Sequence, residues 1–230
     1  VHGFACSHED WRFQLEHFSK SHEVVACDLR GHGRTPGRPH ECSIEHYGGD
    51  VAALVLNLDF PKVFLVGHSM GCRVVLEANR NASERIAGIV LVDGSRQPAV
   101  PPPMEDYPAF AENLFRQMFF RTTPESEAIV ARAVRTSREF GPQLWLAMAR
   151  WDVQQMEGAL GAARCPVLAI QSTTRGADLR RSPMKPGDTN PYLDLLKSKG
   201  VRVEIVPDTG HFTMLEAPAA VNRLIAEFCR

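Results

Sequence analysis

Gly67-His68-Ser69-Met70-Gly71 sets a hydroxyl between two glycines. Lys62 to Gly67 (KVFLVG) reads as a buried strand leading in, and a helix through Val74, Val75 and Ala78 leads out. On such a strand–turn–helix the serine is lifted above the carboxyl edge of a sheet. Glycines two residues to either side give strand and helix room to approach, and the helix aims its positive end at charge developing beside the serine. The plainer reading is a serine capping a glycine-rich helix start. A serine hydroxyl is a weak nucleophile at neutral pH and needs a base. His211, in Asp208-Thr209-Gly210-His211-Phe212, follows a strand ending at Val206, where an open α/β sheet presents its functional side chains. Taken singly, any of the nine histidines reads equally well as a surface residue.

The elements that must position these groups alternate between short β-branched runs and longer stretches of helical spacing, which predicts an α/β fold with a mostly parallel sheet flanked by helices. Trp11, Leu15 and Phe18 fall at helical spacing, and Glu23 to Cys27 (EVVAC) reads as a strand ending at Asp28. Arg30 to Gly37 is turn chemistry. Ser43 caps a helix carrying Ile44, Tyr47, Val51, Leu54, Val55 and Leu58. Ile86 to Val92 is a buried strand ending at Asp93-Gly94. From Ser95 to about Arg164 no strand is expected. Pro98, Pro101, Pro102 and Pro103 read as a stiff connector and the remainder as helices. This predicts a core of residues 1–95 and 165–230 with a helical cap inserted at 96–164. Strand Val167–Gln171, helix Tyr192–Lys199, strand Val201–Val206 and helix Pro218–Phe228 resume the alternation.

Composition sets the outer limits. At 230 residues the chain can bury one sizeable core, and 44% hydrophobic with 23% charged residues is ordinary for a globular protein. A net charge of −1 offers no basic field to collect nucleic acid, and no apolar run is long enough for a bilayer, so the expected partner is a small molecule. Cys6, Cys27, Cys42, Cys72, Cys165 and Cys229 lack metal-site spacing and read as free thiols. No metal or cofactor is expected, and the compartment is expected to be cytoplasmic. Val1-His2-Gly3-Phe4 opens without Met in what reads as the end of a buried strand. The chain therefore reads as truncated, with roughly 20–30 residues of upstream strand expected, and a preceding signal peptide stays open.

Four motifs in order, His2-Gly3-Phe4, Asp28-Leu29-Arg30-Gly31-His32-Gly33, Gly67-His68-Ser69-Met70-Gly71 and Gly210-His211-Phe212, resemble the α/β-hydrolase superfamily over essentially the whole chain. The resemblance implies a Ser69–His211 pair completed by an acid, with the N–H groups of Phe4 and Met70 as oxyanion hole, and structural roles for Asp28 and Arg30. Many relatives carry the acid just after the strand equivalent to Val167–Gln171, but that loop reads Ser172-Thr173-Thr174-Arg175-Gly176-Ala177-Asp178 here. Asp93, after the strand that follows the nucleophile, resembles an alternative position used by some lactone hydrolases and dehalogenases. Asp178 is the second candidate; Asp93 also reads as a turn residue, and Asp208 as shaping the histidine loop. The implied activity is carboxylesterase-like cleavage of a small apolar ester through an acyl-enzyme. Lactone or carbon–carbon bond hydrolysis, a haloperoxidase-like side reaction, and a slow-turnover ligand sensor use the same residues. Serine at 69 argues against the carboxylate-nucleophile chemistry of dehalogenases and epoxide hydrolases. Phe110, Phe115, Met118, Phe119, Phe120, Trp145, Met148, Trp151 and Met156 would suit an apolar substrate, most of them packing cap on core.

Overall fold

The structure is a computed structural model and describes residues 1–97, 104–136, 140–176 and 178–230. Along the chain run Arg12–Phe18 (α1), Ile44–Asn57 (α2), Val63–His68 (β1), Met70–Ala82 (α3) and Ile86–Val92 (β2). Tyr107–Arg116 (α4), Pro124–Arg135 (α5), Phe140–Gln154 (α6) and Met156–Ala162 (α7) come next. Val167–Gln171 (β3), Thr173–Arg175 (β4), Arg181–Pro183 (β5), Pro191–Ser198 (α8), Arg202–Ile205 (β6), Thr213–Glu216 (α9) and Pro218–Phe228 (α10) complete it.

β1, β2, β3 and β6 pair in that order, all parallel. β1, β2 and β3 are near-continuous apolar runs because helices cover both faces of a parallel sheet, and all five residues of β3 are buried; β6, at the sheet's edge, alternates Arg202 and Glu204 with Val203 and Ile205. α3 packs on β1 and β2 and against α2, while α10 packs on β3 and α8 on β6. The Ser43 hydroxyl caps α2 by accepting from His46 N, and the Asn190 side chain caps α8 by accepting from Leu193 N. Because the four strands are parallel, Ser69, Asp93, Ser172 and the loop to His211 all leave the same carboxyl edge.

Two expectations change. Glu23–Cys27 forms no strand: it runs extended without a ladder, leaving Val24 and Val25 exposed. β-branched residues favour extended backbone, but a strand also needs a free neighbouring edge. The edge of β1 is met instead by Val1, whose amino group donates to Val66 O and whose carbonyl accepts from His68 N. Second, residues 173–183 hold the antiparallel β4–β5 hairpin where the sequence reads only as a loop. The proline connector at Pro98 and Pro101–Pro103 lies outside the described residues. Between β2 and β3 the described residues contain α4 to α7 and no strand. Among the described residues no helix is long and apolar enough to cross a membrane, and all six cysteines are free thiols.

Candidate active site

β1 hands directly into α3 through Ser69, whose φ of 54° and ψ of −111° lie in a region a non-glycine residue enters only under constraint. The flanking glycines explain the constraint. A Cβ on Gly67 would lie 2.2 Å from the Gly71 carbonyl oxygen, and one on Gly71 2.5 Å from the Val1 carbonyl oxygen. Strand, helix and first residue are therefore packed backbone to backbone. Ser69 N donates to Val92 O, and its carbonyl accepts from the Arg73 guanidinium. The hydroxyl is left half-exposed, with no hydrogen-bond partner among the described residues.

Asp93 follows β2, fully buried, with its own φ at 46°. Its Oδ2 lies 2.7 Å from His211 Nδ1. Oδ1 accepts from Ser172 N and Thr173 N, and Oδ2 also from the Thr173 hydroxyl. Burial pushes this carboxyl up, against the pull of Arg181 at 3.8 Å and of those donors. The loop after β3, which carries no acid next to the strand, thus supplies the donors for the carboxylate that comes from β2. Asp178 is exposed, and its carboxylate engages Arg180.

His211 is buried on a loop held from several sides. Its N–H donates to Met118 O, and its carbonyl accepts from His68 Nε2 at 2.9 Å. Gly210 is needed because a Cβ there would lie 2.4 Å from Glu216 Oε1 and 2.5 Å from Met118 O. With Nδ1–H donating to Asp93, Nε2 presents its lone pair. Arg181 Nη2 stands 3.3 Å from it. Burial first, and then the charges of Arg181, Arg175 and Arg73, hold the imidazole well below its ordinary pKa. His68 is likewise neutral, through burial and the neighbouring His211 ring. Asp208, at φ 59°, turns the loop in the solvent.

Gly3 packs on Ser69, a Cβ on it reaching the Ser69 Cβ at 3.2 Å, so the N–H of Phe4 belongs to the serine's surroundings. No described residue accepts from that N–H. Met70 opens α3, where the first N–H groups have no partner within the helix. Arg132 of α5 fixes this loop by donating to Ala5 O, the Ser7 hydroxyl and both oxygens of Asp10. Phe4 meets Trp145 edge-on at 6.1 Å and Phe115 at 6.3 Å, while Phe119 stacks on Phe212 at 4.6 Å. Met118, Met148, Trp151 and Met156 are buried, whereas Phe120 is exposed. Asp28 and Arg30 stand apart: Asp28 accepts from His8 N, His8 Nδ1 and Arg34 N, and Arg30 grips Asp50. Among the described residues no three His, Cys, Asp or Glu side chains converge as metal ligands.

Sequence reasoning missed His68, Ser172, Thr173, Arg132 and Arg181. His68 sits inside the pentapeptide, and Ser172 and Thr173 follow a strand end. The two arginines come from α5 and β5 and carry no motif.

The profile of the α/β hydrolase family matches residues 1–224. A non-heme haloperoxidase of Rhodococcus erythropolis is 36% identical over 120 residues, 51% of this chain and 42% of that protein, so the match spans less than half of the relative's length. The structure of a thermophilic esterase from Thermogutta terrifontis is similar over 100% of this chain and 88% of its own, with a TM-score of 0.78 and 25% identity. The enol-lactonase from Burkholderia xenovorans LB400 has the same fold at 21% identity and a TM-score of 0.79, over 100% of this chain and 89% of its own. With four ordered motifs, a parallel sheet that brings the Ser69 and His211 motifs to one edge and a family profile that runs through nearly every residue, the chain belongs to the α/β hydrolase family.

Proposed function

We propose that the chain is a serine hydrolase cleaving a small apolar carboxylic ester, with Ser69 as nucleophile, His211 as general base and Asp93 as the acid that orients it. The observation supporting this most is the 2.7 Å contact of Asp93 with His211, at the sheet edge where Ser69 stands in its strained turn. The esterase and haloperoxidase names of the relatives agree with hydrolase chemistry.

In this reading Ser69 Oγ replaces Arg181 at His211 Nε2 and gives up its proton there as it attacks the ester carbonyl. Asp93 holds the Nδ1–H tautomer and stabilises the imidazolium. The oxyanion receives the N–H groups of Phe4 and Met70, with the N-terminus of α3 behind them. His211 returns the proton to the departing alcohol. A water, deprotonated by His211, then releases the acid from Ser69 and restores the hydroxyl. Helices α4 to α7 act as a cap over residues 96–164, and Phe4, Phe115 and Trp145 form an apolar wall for the acyl or alcohol group.

Burst kinetics with p-nitrophenyl esters of increasing acyl length test it. Ser69→Ala should lose turnover by at least about a thousandfold and Asp93→Asn by a comparable factor. Asp178→Asn should retain it. Undiminished turnover in Ser69→Ala would overturn the reading; loss confined to Asp178→Asn would move the acid.

A further inference from the structure

Thr173, Arg175 and Arg181 share one face of the β4–β5 hairpin, because Arg175 pairs directly opposite Arg181 and strand side chains alternate. Two guanidiniums placed directly across a ladder repel each other, and both stay charged at neutral pH. Both line a cavity of about 350 Å³ whose other walls include Gln97, Thr174, Asn190 and Tyr192. Ser69, Met70 and His211 are not among its lining residues.

The carboxylates nearby are already engaged. Asp152 is gripped by Arg73, and Asp93 by His211 and the loop after β3, with Arg181 farther off at 3.8 Å. Arg175 reaches only neutral acceptors, Gln97 Oε1 and Arg96 O, both at 2.6 Å. Arg96, exposed, pairs with Glu157 instead. Arg73, Arg175 and Arg181 are thus three guanidiniums facing two carboxylates, and one positive charge at the cavity wall has no counter-charge among the described residues. Burial and the neighbouring Arg181 draw Arg175 down to about 9, and burial draws Arg181 down to about 10. A half-buried cation with neutral acceptors but no counter-charge is favourably placed to take an anion, and a guanidinium fork matches the two oxygens of an oxyanion.

We propose that this cavity binds a small oxyanion, a carboxylate or phosphate group, between the Arg175 and Arg181 side chains. Gln97, Thr174, Asn190 and the Tyr192 hydroxyl supply polar walls around it, and the volume suits a compact acid of a few carbons or inorganic phosphate.

The test is isothermal titration of the Ser69→Ala protein with succinate and, separately, inorganic phosphate, at ionic strength fixed with NaCl. Because this protein lacks the nucleophile, the outcome is independent of the proposed ester hydrolysis. One-site saturation is expected with at least one anion, and the anion that binds identifies the ligand class. Adding Arg175→Gln should weaken it by about tenfold or more, while Arg180→Gln, outside the cavity lining, should leave it unchanged. Arg175→Lys keeps the charge and removes the fork, so it too should weaken binding and serves if the glutamine variant does not fold. Absence of saturation with both anions, or equal affinity in the Arg175 variants, would overturn the site.

Discussion

The guanidinium of Arg181 lies 3.3 Å from His211 Nε2 and donates to the Thr173 hydroxyl, which in turn donates to Asp93. It therefore touches the histidine on the side where a proton would arrive and the acid on the other. A fixed positive charge at that distance disfavours the imidazolium, and burial acts in the same direction. His211 accordingly stays neutral well below its ordinary range, and the acid limb of kcat/KM should lie at correspondingly low pH. Arg181→Gln removes the charge while keeping a donor, so the histidine pKa rises and the limb moves to higher pH by about one unit or more. A kcat/KM profile of both proteins between pH 4 and 8 measures it; superimposable limbs would refute the role. Ser69 and His211 were legible in the sequence because a strand end followed by glycine is a local signal. Asp93 was legible because it follows the next strand. Arg181 was not, since a buried arginine in a three-residue strand has no periodicity to mark it.

Helices α5 and α6 each reach the sheet edge through one charged side chain. Arg132 of α5 gathers Ala5 O, Ser7 and Asp10, and so sets the loop that carries Phe4. Arg132→Met keeps much of the stem's packing but frees the loop. If the Phe4 N–H is half of the oxyanion hole, kcat should fall by about tenfold or more with a smaller change in KM. A fall confined to thermal stability would give Arg132 a purely structural role. Asp152 of α6 chelates Arg73 and accepts from Gln97 N, with both side chains essentially inaccessible. Asp152→Ala strands a buried guanidinium and should cost roughly 3–5 kcal/mol in denaturant unfolding; the paired Arg73→Met, Asp152→Leu replacement should recover most of it. The long amphipathic helices and apolar strands were readable because burial imposes their periodicity. Glu23–Cys27 misled because its composition specifies extended backbone but not a neighbouring edge. The β4–β5 hairpin was missed because three-residue strands of Thr, Arg, Ser and Pro are too short and polar to show alternation.

A net charge of −1 conceals how the interior is arranged against protons. His2, His32, His68 and His211 are all buried and all held below their ordinary pKa, chiefly by burial, His32 at about 4. His32 Nδ1 donates to Arg30 O, and its ring packs against Tyr47 and Phe140. In the unfolded chain each of these would titrate near 6.5. Between that value and its depressed folded one, the unfolded state binds more protons. The stability contributed by each histidine is therefore complete above about pH 7 and is lost as pH falls toward the folded pKa, by about 1.4 kcal/mol per pH unit for each proton. Asp28 extends the loss to lower pH: burial opposes it, but the backbone N–H groups of His8 and Arg34 hold its carboxyl at about 2. Asp93 and Glu216, raised by burial, act in the opposite sense, but two carboxyls set against four histidines leave the unfolded state binding more protons between pH 6.5 and 5. The urea midpoint should thus fall steeply from pH 7 to 5, with a slope of more than one proton. His32→Gln should flatten that slope by about one proton while lowering the midpoint at pH 7. A midpoint constant over this range would mean that the buried histidines are not the neutral groups their surroundings require.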